Sequence, residues 1–336
     1  MVVHEVIIIG GGPCGLAAAI ALQEQGIDYV ILEKGTIVNS ITLCPHTFRF
    51  YSTSDRLEIG GIPFLTEEFR PGRHELLTYY RSVAARRNLR IKCHHKVIRI
   101  SREPDHFMLE TEDSQKRLAA WKARALIIAT GNVDHPRRLG VKGEESGKVI
   151  PYYREGHFFF GQRVMVIGGK NSAIETTIDL YRHGAHVSLV HRGESVYQGI
   201  KPSLLLDIRN LIEKGRIDFY PQSRVLEIGE DTVILETPGG LVHVANDFVL
   251  PLIGYQPDVP LLKSIGIEVD ETNLVPCFDP GTGETNVRNV FLAGVVRGGT
   301  TNRVYIEDGR FHGGPIAKTI KERLAGTAGW SPLPQG

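Results

Sequence analysis

The stretch IIIGGGPCGL, Ile7–Leu16, places a potential nucleophile, Cys14, inside a glycine turn of the kind that cradles a pyrophosphate. Gly10, Gly12 and Gly15 fill the three positions of a G-x-G-x-x-G fingerprint. The first glycine permits a tight turn, the second lets phosphates approach the backbone, and the third lets helix and strand pack closely. Backbone N–H groups and the helix dipole then hold the phosphates. A lone fingerprint is a weak signal. This one follows an apolar run, opens a helical pattern and has an acid, Glu33, about twenty residues on, placed to accept the hydroxyls of an adenosine ribose. The same turn gives Cys14 its chemistry, because a thiolate is the nucleophile in disulfide exchange and a helix N-terminus is expected to lower a thiol pKa. The opposing reading is a small filler, since cysteine commonly serves as a small buried hydrophobe. A bound pyrophosphate would also oppose a second negative charge. On sequence alone both readings stand.

The elements that position this turn occur twice. IIIGGGPCGLAAAIALQEQGIDYVILEK (Ile7–Lys34) and MVIGGKNSAIETTIDLYRHGAHVSLVHR (Met165–Arg192) align without a gap. Gly10 corresponds to Gly168, Gly26 to Gly184 and Glu33 to His191, a constant offset of 158 residues. Each copy reads as a buried strand, a glycine turn, a helix ended by glycine and a second apolar strand: a βαβ unit with parallel strands. The second copy departs where a nucleotide would be selected. His191 and Arg192 stand at the acid position, and an arginine there pairs with a 2′-phosphate that an acid would repel, so the second nucleotide is expected to be NADPH. Lys170 replaces the middle glycine, either as a cation lying against the pyrophosphate or as a side chain that pushes the cofactor away.

Two such units imply a flavin in the first and a nicotinamide in the second. WKARALIIATGN (Trp121–Asn132) and NVRNVFLAGVVRGG (Asn286–Gly299) read as further strands of the first sheet, each ending in a glycine turn. A helical stretch follows, with Asn302 placed to cap it. Its start is expected to point backbone N–H groups near Tyr305 and Ile306 at a reduced flavin. The fold class expected is α/β: two Rossmann-like, three-layer ββα dinucleotide-binding domains. The NADPH domain, residues 134–248, is inserted into an FAD domain made of residues 1–133 and 249–330. The linkers lie near Asn132–Arg138 and Asp247–Gln256.

With a formal net charge of +1, 42% hydrophobic and 23% charged residues, the chain offers no field for nucleic acid or an anionic membrane. It holds no apolar run of about 18 residues and no secretory leader pattern, so a cytoplasmic protein is expected. The four cysteines, Cys14, Cys44, Cys93 and Cys277, form no C-x-x-C, which excludes a zinc ribbon and an adjacent redox dithiol. Cys93 reads as a strand residue whose neighbours His94 and His95 point to opposite faces, so no metal site is expected. Phe158–Phe160 read as aromatic core or interface.

GGGPCGL, LIIATG, GGKNSA with HR, LIGYQP and NVFLAG occur in the order found in low-molecular-weight thioredoxin reductases, which the chain resembles along nearly its whole length. Two features depart from that family. Where it carries its dithiol, this chain has IPYYREGHFFFGQ, with Tyr152, Tyr153 and Arg154. Where the third flavin motif reads AGD, this chain has Ala293-Gly294-Val295, which leaves the ribityl contact open. Both departures, Cys14, and the segments EKGTIVNSI, FYSTSDRLEIGGIPF and YIEDGRFHGG resemble the bacillithiol disulfide reductase family of flavoproteins. That resemblance implies FAD and NADPH as cofactors, Cys14 as the redox thiol, bacillithiol disulfide as substrate, and a homodimer or homotetramer. The candidate FAD contacts are Gly10, Gly12, Pro13, Gly15, Glu33, Lys34, Val97, Thr130, Gly131, Gly294 and Ile306. Those for NADPH are Gly168, Lys170, Ser172, Ala173, His191 and Arg192. Two alternatives remain: a dithiol-free reductase passing electrons from flavin to a ferredoxin or flavodoxin, and a redox-sensing flavoprotein.

Overall fold

In a computed structural model, which describes residues 2–196, 199–301 and 303–326, the first apolar run forms β1 (Val3–Ile9) and feeds α1 (Pro13–Glu24) and β2 (Tyr29–Leu32). Pro13 opens α1 at the position where its fixed φ suits a helix and its missing N–H costs nothing. β1 and β2 run parallel, with Val6 beside Tyr29 and Ile9 beside Leu32. A one-turn α2 (Asn39–Thr42) and a longer α3 (Arg73–Arg86) lead to β3 (Ile91–Lys92). Three antiparallel strands follow: β4 (His95–Arg102), β5 (Phe107–Asp113) and β6 (Leu118–Ile128). The sheet order is β3-β2-β1-β6-β5-β4.

Alternation along β1 explains why its run is apolar throughout. Val6 and Ile8 enter one core with residues of α1 and α3, whereas Ile7 and Ile9 enter another with Phe107 and Leu109 of β5. Successive side chains of a strand face opposite ways, and here both faces are covered.

The plan then repeats. β7 (Arg163–Ile167), α4 (Asn171–Arg182) and β8 (His186–Val190) form the second βαβ unit. After α5 (Pro202–Glu213) and β9 (Asp218–Tyr220) comes an antiparallel meander, β10 (Arg224–Ile228), β11 (Thr232–Thr237) and β12 (Gly240–Ala245). β13 (Phe248–Pro251) completes a parallel sheet of order β13-β7-β8-β9. The chain clusters into two units, one of Leu43–His46 and Pro136–Gly254, the other of the remainder. The boundary expected at 248 therefore moves to Gly254, because Phe248–Pro251 pairs with β7 and belongs to the second sheet.

Beyond Gly254 the chain forms α6 (Val259–Ser264) and β14 (Val290–Leu292), which pairs in parallel with Leu126–Ile128 of β6. The helix expected from Asn302 is corrected here. Asn302 lies outside the described residues, and the helical stretch is broken into a single turn, α7 (Ile306–Gly309), and α8 (Gly313–Ala325), which packs on α1.

Candidate functional site

In the first fingerprint each glycine has its own constraint. Gly10 has φ +111°, and a Cβ there would lie 2.4 Å from the Ala129 carbonyl oxygen. A Cβ on Gly15 would come within 2.1 Å of the Gly10 carbonyl oxygen, so this glycine is what lets α1 close on the turn. The space over Gly12 is open, as it is over Gly131, whose φ is +69°. The Thr130 hydroxyl, two residues past the end of β6, is buried with no partner among the described residues. An open cradle with an orphaned buried hydroxyl fits a bound dinucleotide.

Glu33 is 6% exposed and already engaged. Its Oε2 accepts from the Gly11 N–H at 2.6 Å and its Oε1 from the Gly35 N–H at 2.7 Å. Burial pushes its pKa up against those two donors. Lys34 pairs with Asp134 at 2.9 Å. Val97 lies in β4 and packs into the same core as Ile9 and Leu32. Gly294 follows β14 with φ +81°, and Ile306 opens α7 against the α1 core.

These elements meet around the Cys14 sulfur. The residue is 7% exposed. A Cβ on Gly294 would lie 2.9 Å from Sγ and one on Gly309 only 2.5 Å, so two glycines far apart in sequence make room for the thiol. His312 Nδ1 accepts from the Gly294 N–H at 3.0 Å. Arg297, 8% exposed, donates from Nε to the Leu292 carbonyl at 2.7 Å. The Ser52 hydroxyl donates to Glu307 Oε1, and Glu307 Oε2 is buried without a partner among the described residues.

Two expectations are corrected at this point. The thiol is not acidified: burial pushes Cys14 up to about 12, with Arg297 pulling it down and Glu307 and Asp308 adding to the rise. Desolvation of the thiolate outweighs any benefit from the start of α1. The α7 turn expected to offer its N–H groups is only four residues long and carries Glu307 and Asp308 in its first turn, whose charges oppose its positive end.

The second fingerprint keeps the geometry with different chemistry. Gly168 has φ +149°, and a Cβ there would lie 2.5 Å from the Leu252 carbonyl oxygen and 2.9 Å from the Ala173 methyl. Lys170 is the exposed N-cap of α4 with φ −101° and ψ −178°, close to the extended backbone of Gly12 at φ −75° and ψ 175°. A side chain at this position is therefore free of backbone strain. Ser172 is exposed in the first turn and Ala173 is buried beneath it. The His191 ring lies against Gly169 and Gly193, and its pKa is lowered by burial and then by Arg192, which is exposed.

The comparisons with known proteins fall on the same elements. Residues 7–294 match the family described as pyridine nucleotide-disulphide oxidoreductase. The chain belongs to that family. It is 41% identical to the bacilliredoxin reductase Bdr of Bacillus subtilis (strain 168), over 96% of this chain and 99% of that one. It is similar to the solved bacillithiol disulfide reductases Bdr (YpdA) from Bacillus cereus and Staphylococcus aureus. The former has a TM-score of 0.93 at 40% identity over 95% of this chain and 99% of that one. The latter has 0.91 at 39% identity over 96% and 99%.

In this oxidoreductase the stretch expected in place of a dithiol is structural. Tyr153 is 5% exposed, donates its hydroxyl to Asp179 of α4 and stacks on Phe159 at 6.1 Å. The aromatic run divides, with Phe159 buried and Phe158 and Phe160 exposed. None of the four cysteines is in a disulfide, and Cys277 is exposed. Cys93 is corrected from strand to turn: it and His94, at φ +59°, join β3 to β4. No metal-ligating cluster occurs among the described residues, and no described helix is long and apolar enough to cross a membrane. Gly309, Arg297 and His312 were not singled out by sequence reasoning. The signal for Gly309 and His312 was YIEDGRFHGG, which the resemblance to disulfide reductases already marked, whereas Arg297 lies in NVRNVFLAGVVRGG, read only as a strand and its glycine turn.

Proposed function

We propose that the chain is an NADPH-dependent FAD flavoprotein, working in the cytoplasm as a homodimer or homotetramer, that reduces bacillithiol disulfide through Cys14. The observation that carries this reading is a single sulfur set at the head of the first dinucleotide cradle in a chain without C-x-x-C, and it is supported by the similarity to solved proteins named bacillithiol disulfide reductase. Gly10, Gly12, Pro13, Gly15, Glu33, Lys34, Val97, Thr130, Gly131, Gly294 and Ile306 would hold FAD. Gly168, Lys170, Ser172, Ala173, His191 and Arg192 would hold NADPH, the arginine pairing with the 2′-phosphate.

Bound FAD supplies two-electron transfer from nicotinamide to the thiol–disulfide site. Cys14 gives up its proton and its sulfur attacks one sulfur of the substrate. The substrate S–S bond breaks as the new one forms, and the other half leaves as a thiol carrying that proton. Two electrons from NADPH and two protons, one of them from solvent, then release the second thiol and restore Cys14. Arg297 favours the thiolate this step needs, and Glu307 and Asp308 oppose it.

The burial of the sulfur and its high pKa favour a second reading, in which flavin reduces the acceptor directly and Cys14 fills space. NADPH oxidation with bacillithiol disulfide, measured for wild type and Cys14→Ala, separates the two. Turnover by wild type alone supports the thiol route; equal turnover supports direct reduction. Turnover by neither, with both cofactors bound, overturns the disulfide reading and directs the search to ferredoxin.

A further inference from the structure

The two glycines that enclose the Cys14 sulfur belong to different elements, Gly294 after β14 and Gly309 at the end of α7, and one residue joins them. His312 uses its side chain for the first, Nδ1 accepting from the Gly294 N–H at 3.0 Å. It uses its backbone for the second, its N–H donating to the Gly309 carbonyl at 3.2 Å. Gly294 needs such a partner. The sheet ladder closes one residue earlier, where Ala293 N–H donates to Ile128 O at 2.9 Å, and Gly294 then turns to φ +81°. Among the described residues the His312 ring is the acceptor for this buried N–H, and without it the N–H would go unpaired there, in a backbone conformation that glycine adopts readily.

We propose that His312 is a positioning residue that staples both walls of the Cys14 chamber and so sets the access of reagents to the sulfur. The role requires the lone pair on Nδ1, hence a neutral ring protonated at Nε2. Burial, with Arg297 next, lowers the His312 pKa to about 4 against an opposing pull from Asp308, so the acceptor is present throughout the neutral range. This inference does not depend on which acceptor the enzyme reduces.

The test follows alkylation of Cys14 by iodoacetamide in the purified holoenzyme, read by peptide mass, with exposed Cys277 in the same molecule as the internal reference. His312→Ala removes the side-chain acceptor. His312→Gln carries its acceptor one bond too far out, and His312→Asn places an oxygen where Nδ1 lies. Relative to Cys277, Cys14 should label about tenfold faster in the Ala and Gln variants, as loss of one buried hydrogen bond eases a local opening. The Asn variant should return to the wild-type ratio. Equal ratios in all four proteins, or equal labelling of the Asn and Gln variants, overturn the proposal. Because Gln and Asn differ by one methylene, that pair decides the matter even if His312→Ala does not fold.

Discussion

The imidazole of His191 lies so close over Gly169 that a Cβ on the glycine would be 2.3 Å from the ring. One repeat earlier, Gly11 and Glu33 stand in the same relation, joined by an N–H to carboxylate bond of 2.6 Å. The second copy thus keeps the packing and discards the negative charge.

That exchange predicts nucleotide choice. With no acid at position 191 and an exposed guanidinium beside it, a 2′-phosphate held at this strand end would face Arg192 in place of the carboxylate of the first copy. Arg192→Glu should weaken NADPH about tenfold to a hundredfold and leave NADH within about threefold. Michaelis constants for both nucleotides check this, and a parallel loss for the two would place Arg192 outside the phosphate subsite.

The glycine at 309 is argued from the sulfur it faces. Alanine in α7 would ordinarily favour the helix, yet a Cβ there lies 2.5 Å from Cys14 Sγ and 3.0 Å from Gly294 Cα. Gly309→Ala should cost about 1–3 kcal/mol through overpacking. In a Cys14→Ala background the sulfur clash is gone and the approach to Gly294 remains, so the cost should fall by about 1 kcal/mol without vanishing. Urea unfolding of the four proteins gives the coupling; strict additivity would mean the chamber is not closed by Gly309.

The contrast between these two sites shows what the sequence made legible. The βαβ units were readable because strand, turn, helix and strand are consecutive, and Gly10 and Gly168 sit where only a positive φ closes the turn. The thiol chamber was not, because Gly294, Gly309 and His312 reach Cys14 only through tertiary packing, nearly 300 residues along the chain. The long helix expected after β14 failed for a local reason: the run Gly309–Gly314 carries three glycines, and the chain breaks there. The sequence shows the helix start and the pyrophosphate turn around Cys14 but not its burial, which dominates its pKa.

Burial of Cys14 also fixes a pH dependence. The folded thiol, at about 12, lies above the ordinary value of 9.0, so the neutral form is favoured in the fold. The associated stability is fully present below pH 9 and is lost as pH rises toward 12, the unfolded chain ionising first. The stability difference between wild type and Cys14→Ala should therefore be flat through neutral pH and shrink in that alkaline window. A difference that grows with pH there would reveal a thiolate stabilised by Arg297.

Glu33 yields the sharpest test of the first cradle, because both of its oxygens are acceptors for backbone donors, the buried Gly11 and the half-buried Gly35. Glutamine has nearly the same shape but offers one oxygen and one NH₂, so Glu33→Gln sets a donor against a donor whichever way the amide turns. One N–H is left unpaired, at about 1–3 kcal/mol. The turn that Gly11 anchors is the one expected to hold the pyrophosphate, so the variant should be purified with less flavin than wild type. The ratio of flavin to protein absorbance reads this directly, alongside unfolding in urea. Full flavin and undiminished stability in Glu33→Gln would show that one of the two bonds is dispensable, and with it the idea that this carboxylate organises the turn.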